Sequence, residues 1–187
     1  MLNKLLISLF ILINFLPNLY ANEKSLIINR LIDTRNIIFS FEQLTNKKKE
    51  IGECIMVFDN KLKCNYEDSM QKEVLINGKT LVVNQKRYDK VYFYSISNTP
   101  FINILNKKNL ISLIQKSNYK NKNKNNIEFT FVNKDNKKIT IFFEKKNYNL
   151  NGWKVSDQLQ NEILFSIKIK SVNNDLDPKI FKIPLVN

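Results

Sequence analysis

Cys54 and Cys64 carry the clearest chemical option in this 187-residue chain. They flank Asp59-Asn60-Lys61, three residues of turn-forming type. If the two flanking segments pair as a hairpin about that turn, the sulfurs meet directly, on a face shared with Met56, Leu62 and Tyr66. Two outcomes stand open: a cross-strand disulfide in an oxidising compartment, or two buried thiols acting as small apolar residues. A slip of one or two positions in register would separate them. Other chemistry is largely excluded. There is no histidine, so the usual general base, the commonest metal ligand and every Ser-His or Cys-His arrangement are missing. Three glycines leave no phosphate-cradling loop, and neither cysteine has metal-ligand spacing. An acidic pair such as Asp59 with Glu53 reads as turn and surface charge, because nothing places the two in a pocket. The expectation is a binding protein, not an enzyme, with no cofactor or metal.

The elements that would frame such a site are mostly strands. Ile27, Ile28, Leu31 and Ile32 recur at helical spacing and predict an amphipathic helix from Glu23 to about Arg35. From Ile37 the period becomes two, with Ile37, Phe39, Phe41 and Gln43 on one face. A lysine-rich loop should follow, then strands over Gly52–Phe58 and Leu62–Tyr66. Val74–Ile76 and Lys79–Val83 flank Asn77-Gly78, a type I′ hairpin signal. Val91–Ile96 leads to Thr99-Pro100, which suits a helix start. Phe101, Ile104 and Leu105, then Leu110, Leu113 and Ile114, repeat an apolar stripe, so Ser97–Ile114 reads as one or two short helices between sheets. The Asn/Lys run from Lys116 to Asn126 reads as a solvated loop. Strands resume over Ile127–Val132, Ile139–Glu144, Leu150–Ser156 and Ile163–Val172, with turns at Asp135-Asn136 and Asp157 to Asn161. A last helical turn opens at Asp177-Pro178 and ends near Phe181. So many antiparallel strands with one apolar face must curl. The expected class is mainly β with minor helix: an open, strongly curved antiparallel sheet capped by helices, whose concave face is filled either by protein or by a ligand.

The N-terminus looks like a targeting segment. Lys4 precedes an apolar run from Leu5 to Leu16, Pro17 breaks it, and Leu19-Tyr20-Ala21 offers a small residue for cleavage. The competing reading, a membrane anchor, needs roughly 20 apolar residues. Residues 1–21 are therefore expected to be a signal peptide and 22–187 a single exported domain. Position 22 is Asn, so no cysteine follows the cut to carry lipid. The formal charge of +13 is scattered among abundant Asn, and export argues against nucleic acid. Acidic partners or lipid headgroups remain as targets for it.

Several motifs in order resemble the outer-membrane lipoprotein carrier protein (LolA) family: Phe41-Glu42-Gln43, Gly52, Asn77-Gly78-Lys79-Thr80-Leu81, Asn98-Thr99-Pro100-Phe101-Ile102, Gly152-Trp153-Lys154-Val155-Ser156-Asp157, and Phe181 with Pro184. The resemblance implies an open, strongly curved antiparallel sheet (an unclosed barrel) with a helical lid over a hydrophobic cavity. It also implies a periplasmic, monomeric carrier that takes acylated lipoproteins from an inner-membrane ATP-driven transporter and delivers them to an outer-membrane receptor or the outer membrane itself. A carrier or sensor of another lipid in the same superfamily is the alternative. Many members of the family hold the lid with an Arg before a Pro in the second hairpin. Here that place reads Phe58-Asp59-Asn60, so Lys61, Lys63 or Arg30 would have to substitute, or apolar contacts alone would hold the lid.

The candidate cavity residues are Phe39, Phe41, Met56, Phe93, Trp153, Phe165 and Ile167, and the candidate lid residues are Phe101, Ile104, Leu105 and Leu113. With so few helical residues to cover it, the sheet is expected to have more dry surface than the chain can fill. Intact mass after secretion tests the export reading: the expected protein starts near Asn22 and carries no lipid, and a mass retaining residues 1 to 21 would contradict it.

Overall fold

Apolar residues at helical spacing produce helix α1 (Glu23–Asp33), which buries Ile27 and Leu31. The computed structural model describes residues 23–97, 101–117, 119–121, 125–132, 138–156 and 161–184. The expected signal peptide, the Thr99-Pro100 helix start, the Asp135-Asn136 turn and Asp157 lie outside them.

After α1 the chain becomes a strand wherever the period is two. The strands are β1 (Asn36–Thr45), β2 (Lys48–Val57), β3 (Lys61–Tyr66), β4 (Lys72–Asn77), β5 (Thr80–Gln85) and β6 (Lys90–Ser95). Two helices follow, α2 (Ile102–Leu105) and α3 (Lys107–Lys116), and then β7 (Tyr119–Asn121), β8 (Asn126–Val132), β9 (Lys138–Glu144), β10 (Leu150–Ser156) and β11 (Glu162–Val172). All eleven join one sheet in the order β6-β5-β4-β3-β2-β1-β11-β10-β9-β8-β7. Every pairing is antiparallel. The first and last strands meet at the centre, β6 and β7 are the edges, and the sheet does not close into a barrel.

Turn chemistry departs from expectation in two places. The lysine-rich loop is a two-residue turn, because Thr45 pairs with Lys48 and only Asn46 and Lys47 intervene, at φ 47° and 68°. Lys48 and Lys49 belong to β2, so Gly52 lies inside the strand. In the β4–β5 hairpin Asn77 pairs with Thr80, and the turn residues are Gly78 and Lys79. Gly78 is at φ 64°; with glycine alone at positive φ in first position, this is a type II′ connection, one residue later than expected. The Asn/Lys run after α3 also contributes β7, which pairs with β8.

One large core lies on the concave face. It joins α1, the inward residues of β1–β4 and β8–β11, and the two mid-chain helices. A smaller cluster on the convex face gathers Leu75 and Val82 around Phe181. Phe181 is delivered by a 3-10 turn (Pro178–Phe181) in which the Asp177 side chain accepts from Lys179 N–H and Pro178 sits where a missing N–H costs nothing. The segment after β11 is latched to the α1–β1 junction. Asn36 Oδ1 accepts from Asn174 N–H at 3.0 Å, and Asn173 Nδ2 donates to Asp33 O at 2.8 Å.

At the far end of the concave face, a polar cluster closes the sheet between β2 and β4. Lys72 Nζ lies 2.7 Å from Glu50 Oε1 and 3.7 Å above the Tyr66 ring centre. Burial raises the Glu50 pKa, but hydrogen bonds from Lys72 and Lys48 and their charges outweigh it and hold the carboxyl below its usual 4.5. A depressed folded-state pKa stabilises the fold above the unfolded value, and the gain is lost as pH falls through the folded one. Lys72→Met is therefore expected to lower stability at neutral pH and to flatten the loss as pH falls below the usual carboxylate range, where the native Glu50 takes up its proton. Denaturant midpoints across that range check this.

Candidate functional site

Aromatic side chains run across the concave face in one row. Tyr66 meets Phe41 edge-on at 4.8 Å between ring centres, and Phe41 stacks on Phe165 at 4.6 Å. Phe165 stacks on Trp153 at 4.6 Å, and Trp153 meets Phe101 of the lid at 5.3 Å. The row crosses β2 at Gly52, which pairs with Phe41 on one side and Tyr66 on the other. A Cβ there would fall 2.1 Å from Asn65 O and 2.9 Å from the Phe41 ring. Gly52 thus lets Phe41 lie flat across its neighbour strand and reach Tyr66. The Tyr66 hydroxyl donates to Gln43 Oε1 at 2.7 Å. Burial, with the nearby Glu50 and Asp68 carboxylates, pushes its pKa well above the usual phenol value.

Of the cavity residues singled out in the sequence, Phe39, Phe41, Met56, Trp153, Phe165 and Ile167 are buried together in the concave core. Phe93 is not among them. It is 41% exposed on the edge strand β6 and pairs with Val82, whose side chain belongs to the convex cluster. Edge position and the parity of the β5–β6 register turn it away from the core. Cys54 and Cys64 are directly opposed on β2 and β3, with Cα atoms 4.1 Å apart and the sulfurs bonded.

The lid helices supply the opposite wall. Ile104, Leu105, Leu110 and Ile114 are all at 0% exposure, with Phe101 and Leu113 packed at the margin. The apolar alternation on β8 and β9, where Ile127, Phe129, Ile141 and Phe143 are fully buried, contributes as much core as the aromatic row. The recess between α1, β1 and β10, lined by Leu31, Ile37, Phe58 and Leu150 among others, has about 10 Å³ free, room for no more than a water. At this recess the apolar surface is covered by side chains of α1 and the sheet.

How the lid is held was not legible. None of the three cations considered holds α2 or α3. Arg30 donates to Asn149 Oδ1 at 2.6 Å, Lys63 pairs with Glu73 at 3.3 Å, and Lys61 lines a groove on the convex side with Phe181. Among the described residues the lid is instead tied at three points. Asn60 N–H donates to Leu105 O at 3.2 Å beside an isolated bridge between Asp59 and Asn106. Lys107 Nζ reaches Ile32 O on α1 at 3.1 Å; burial lowers its pKa, with Asp33 opposing. Lys24 Nζ donates to Ser117 O at 2.7 Å and Gln115 O at 3.1 Å, satisfying carbonyls at the C-terminal end of α3 and complementing its dipole. Between α2 and α3, Asn106 is extended (φ −96°, ψ 110°) and its side chain caps α3 by accepting from Asn109 N–H.

Because Phe165 is stacked between the Phe41 and Trp153 rings, Phe165→Ala is expected to cost roughly 3–5 kcal/mol. A ligand cavity beside the ring would make the loss smaller. Denaturant unfolding measures it.

Among the described residues no helix is long and apolar enough to cross a membrane. No curated protein matches the chain in sequence. Similar solved structures include a LolA superfamily protein from Nitrosomonas europaea, with 10% identity and a TM-score of 0.41 over 87% of this chain and 98% of that one. A DUF1329 family protein from Desulfovibrio piger has 7% identity and a TM-score of 0.46 over 86% and 95%. In the MucA/MucB complex of Pseudomonas aeruginosa the match has 10% identity and a TM-score of 0.45 over 88% of this chain and 62% of that one. The family model for the outer membrane lipoprotein carrier protein LolA matches residues 34–184, which span β1 to the end of the C-terminal strap with the concave face and its lid between them, and the chain belongs to that family.

Proposed function

We propose that this protein is a periplasmic carrier for the acyl chains of lipoproteins. In this reading it accepts them from an ATP-driven releasing transporter in the inner membrane and gives them up to an outer-membrane receptor or the membrane itself. It works as a monomer and performs no covalent chemistry.

The observation that supports the reading is the construction of the lid. Its inner side is a fully buried apolar layer of Ile104, Leu105, Leu110 and Ile114, yet among the described residues three small sets of polar bonds tie it down, and an extended residue divides it. An acyl chain laid along the aromatic row would take the place of those four side chains, so loading exchanges one apolar cover for another. The concave face is then never offered to water, in the empty state or the loaded one. Each methylene kept dry is worth about 0.8 kcal/mol, which makes an escort necessary for a long acyl chain crossing an aqueous space.

Phe101 touches Trp153 at the end of the row, whereas Asn103 on the same helix turns outward to Asn109. Phe101→Glu is expected to lose co-purifying cargo and Asn103→Glu to keep it, because only the first puts a charge on the apolar face, at a cost of several kcal/mol or more if fully desolvated. Native mass spectrometry of each variant reads the outcome. A bound acylated lipoprotein on the parent protein fits the proposal, a free lipid points to the alternative cargo class, and equal retention in both variants would mean that α2 is not the gate.

A further inference from the structure

Strand β6 ends the sheet, and all six of its residues are exposed. Val91, Tyr92, Phe93 and Tyr94 are 37–54% exposed. The direction of its backbone groups follows from one bond. Ile96 N–H donates to Lys79 O at 3.0 Å, which makes Lys79 and Ile96 a hydrogen-bonded pair of the β5–β6 ladder. Antiparallel ladders alternate, so Lys90, Tyr92 and Tyr94 direct their N–H and C=O groups at β5, while Val91, Phe93 and Ser95 direct theirs outward. No bulge interrupts this pairing, and no proline or charge lies within Val91–Ser95. Those are the devices that ordinarily blunt an edge.

The charges around the edge select the occupant. Lys90 begins the strand, and Lys79 stands opposite Ile96 at its other end, on the face that carries Tyr92 and Tyr94. Neither lysine has an acidic partner among the described residues. A second copy of this chain is a poor fit. The formal charge is +13 per copy, and antiparallel pairing of β6 with itself about Phe93 would set Lys90 of each copy against the Ile96 that is paired with Lys79.

We propose that the β6 edge accepts an extended acidic segment of a partner protein as a twelfth strand. The register defines the segment: a carboxylate opposite Lys90, apolar side chains opposite Tyr92 and Tyr94, and a second carboxylate opposite Ile96 within reach of Lys79. Acids therefore stand six positions apart, with two apolar residues at even spacing between them. Backbone bonds to Val91, Phe93 and Ser95 supply affinity, and the lysines supply selection. The inference is independent of what the concave face carries.

The test is fluorescence anisotropy of the purified protein with a labelled heptapeptide, Glu-Thr-Tyr-Val-Tyr-Thr-Glu. Three comparisons accompany it: the same peptide with Lys at both ends, an N-methylated form lacking the donors that pair with β6, and the protein variants Phe93→Pro and Lys79→Glu/Lys90→Glu. Phe93→Pro removes an outward N–H and no bond to β5. The acidic peptide is expected to bind about tenfold tighter than the lysine-ended one at low salt, with the ratio shrinking as salt rises. Binding should fall about tenfold or more with N-methylation or Phe93→Pro, and the charge-reversed variant should prefer the lysine-ended peptide. If Phe93→Pro proves unstable, the N-methylated peptide reads the same bonds on the unaltered protein. Equal binding of both peptide charges, undiminished binding of the N-methylated form, or a dimer in sedimentation equilibrium that Phe93→Pro dissolves would each overturn the proposal.

Discussion

An eleven-stranded sheet that curls without closing has an apolar face it cannot bury by itself, and covering that face governs the rest of the molecule. The chain solves the problem with the connection between its two sheet edges. After β6 it does not pair onward to complete a barrel. It crosses the open mouth as α2 and α3 and begins the other half at β7. The lid is thus a segment that would otherwise have been a loop, made apolar on its inner side. Its helices are too short to be stable alone, so they owe their existence to the face they cover.

The hairpin of β2 and β3 links this cover to the sheet. Cys54 and Cys64 fix its two strands to one another beneath the lid, and its turn presents Asn60 at φ 59°, with the N–H directed at Leu105 O. Where the family commonly uses an arginine side chain, this chain uses main-chain bonds at the hairpin tip and two lysines that satisfy carbonyls. Lysine at these positions also fits an already basic surface, since Lys24 and Lys107 donate to backbone carbonyl oxygens.

Legibility followed locality. The opposed cysteines, the inward faces of β1 and β11 and the Asp177-Pro178 turn were readable because a few neighbouring residues determine them. The two-residue turn at Asn46-Lys47 was not, because a lysine cluster resembles a solvated loop and Lys47 at φ 68° gives no sign of itself in the sequence. Phe93 was misplaced because alternation says which residues share a face but not which face is concave, and on an edge strand burial does not settle it. Lid anchors lay beyond reach for another reason. Lys24 and the end of α3 are distant in sequence and meet only when α1 packs on α3. The share of the core that β8 and β9 supply was hidden as well, because their side chains count only once their distance across the curled sheet is known.

Pairing the first strand with the last has a consequence for how the molecule comes into being. β1 finds β2 at once, as a hairpin, but its other edge must wait for β11. The centre of the sheet is therefore the contact with the greatest sequence separation, and its loop-closure entropy must be met before the core can be sealed. For a chain that emerges progressively, the N-terminal meander and its hairpin can form early, while β1 stays an open template until the C-terminal strand arrives. A chain truncated before β11 would keep two unjoined meanders, β1–β6 and β7–β10, and present their inner faces to the solvent, a species built to aggregate. Completion of synthesis, more than any local signal, separates the folded protein from that state.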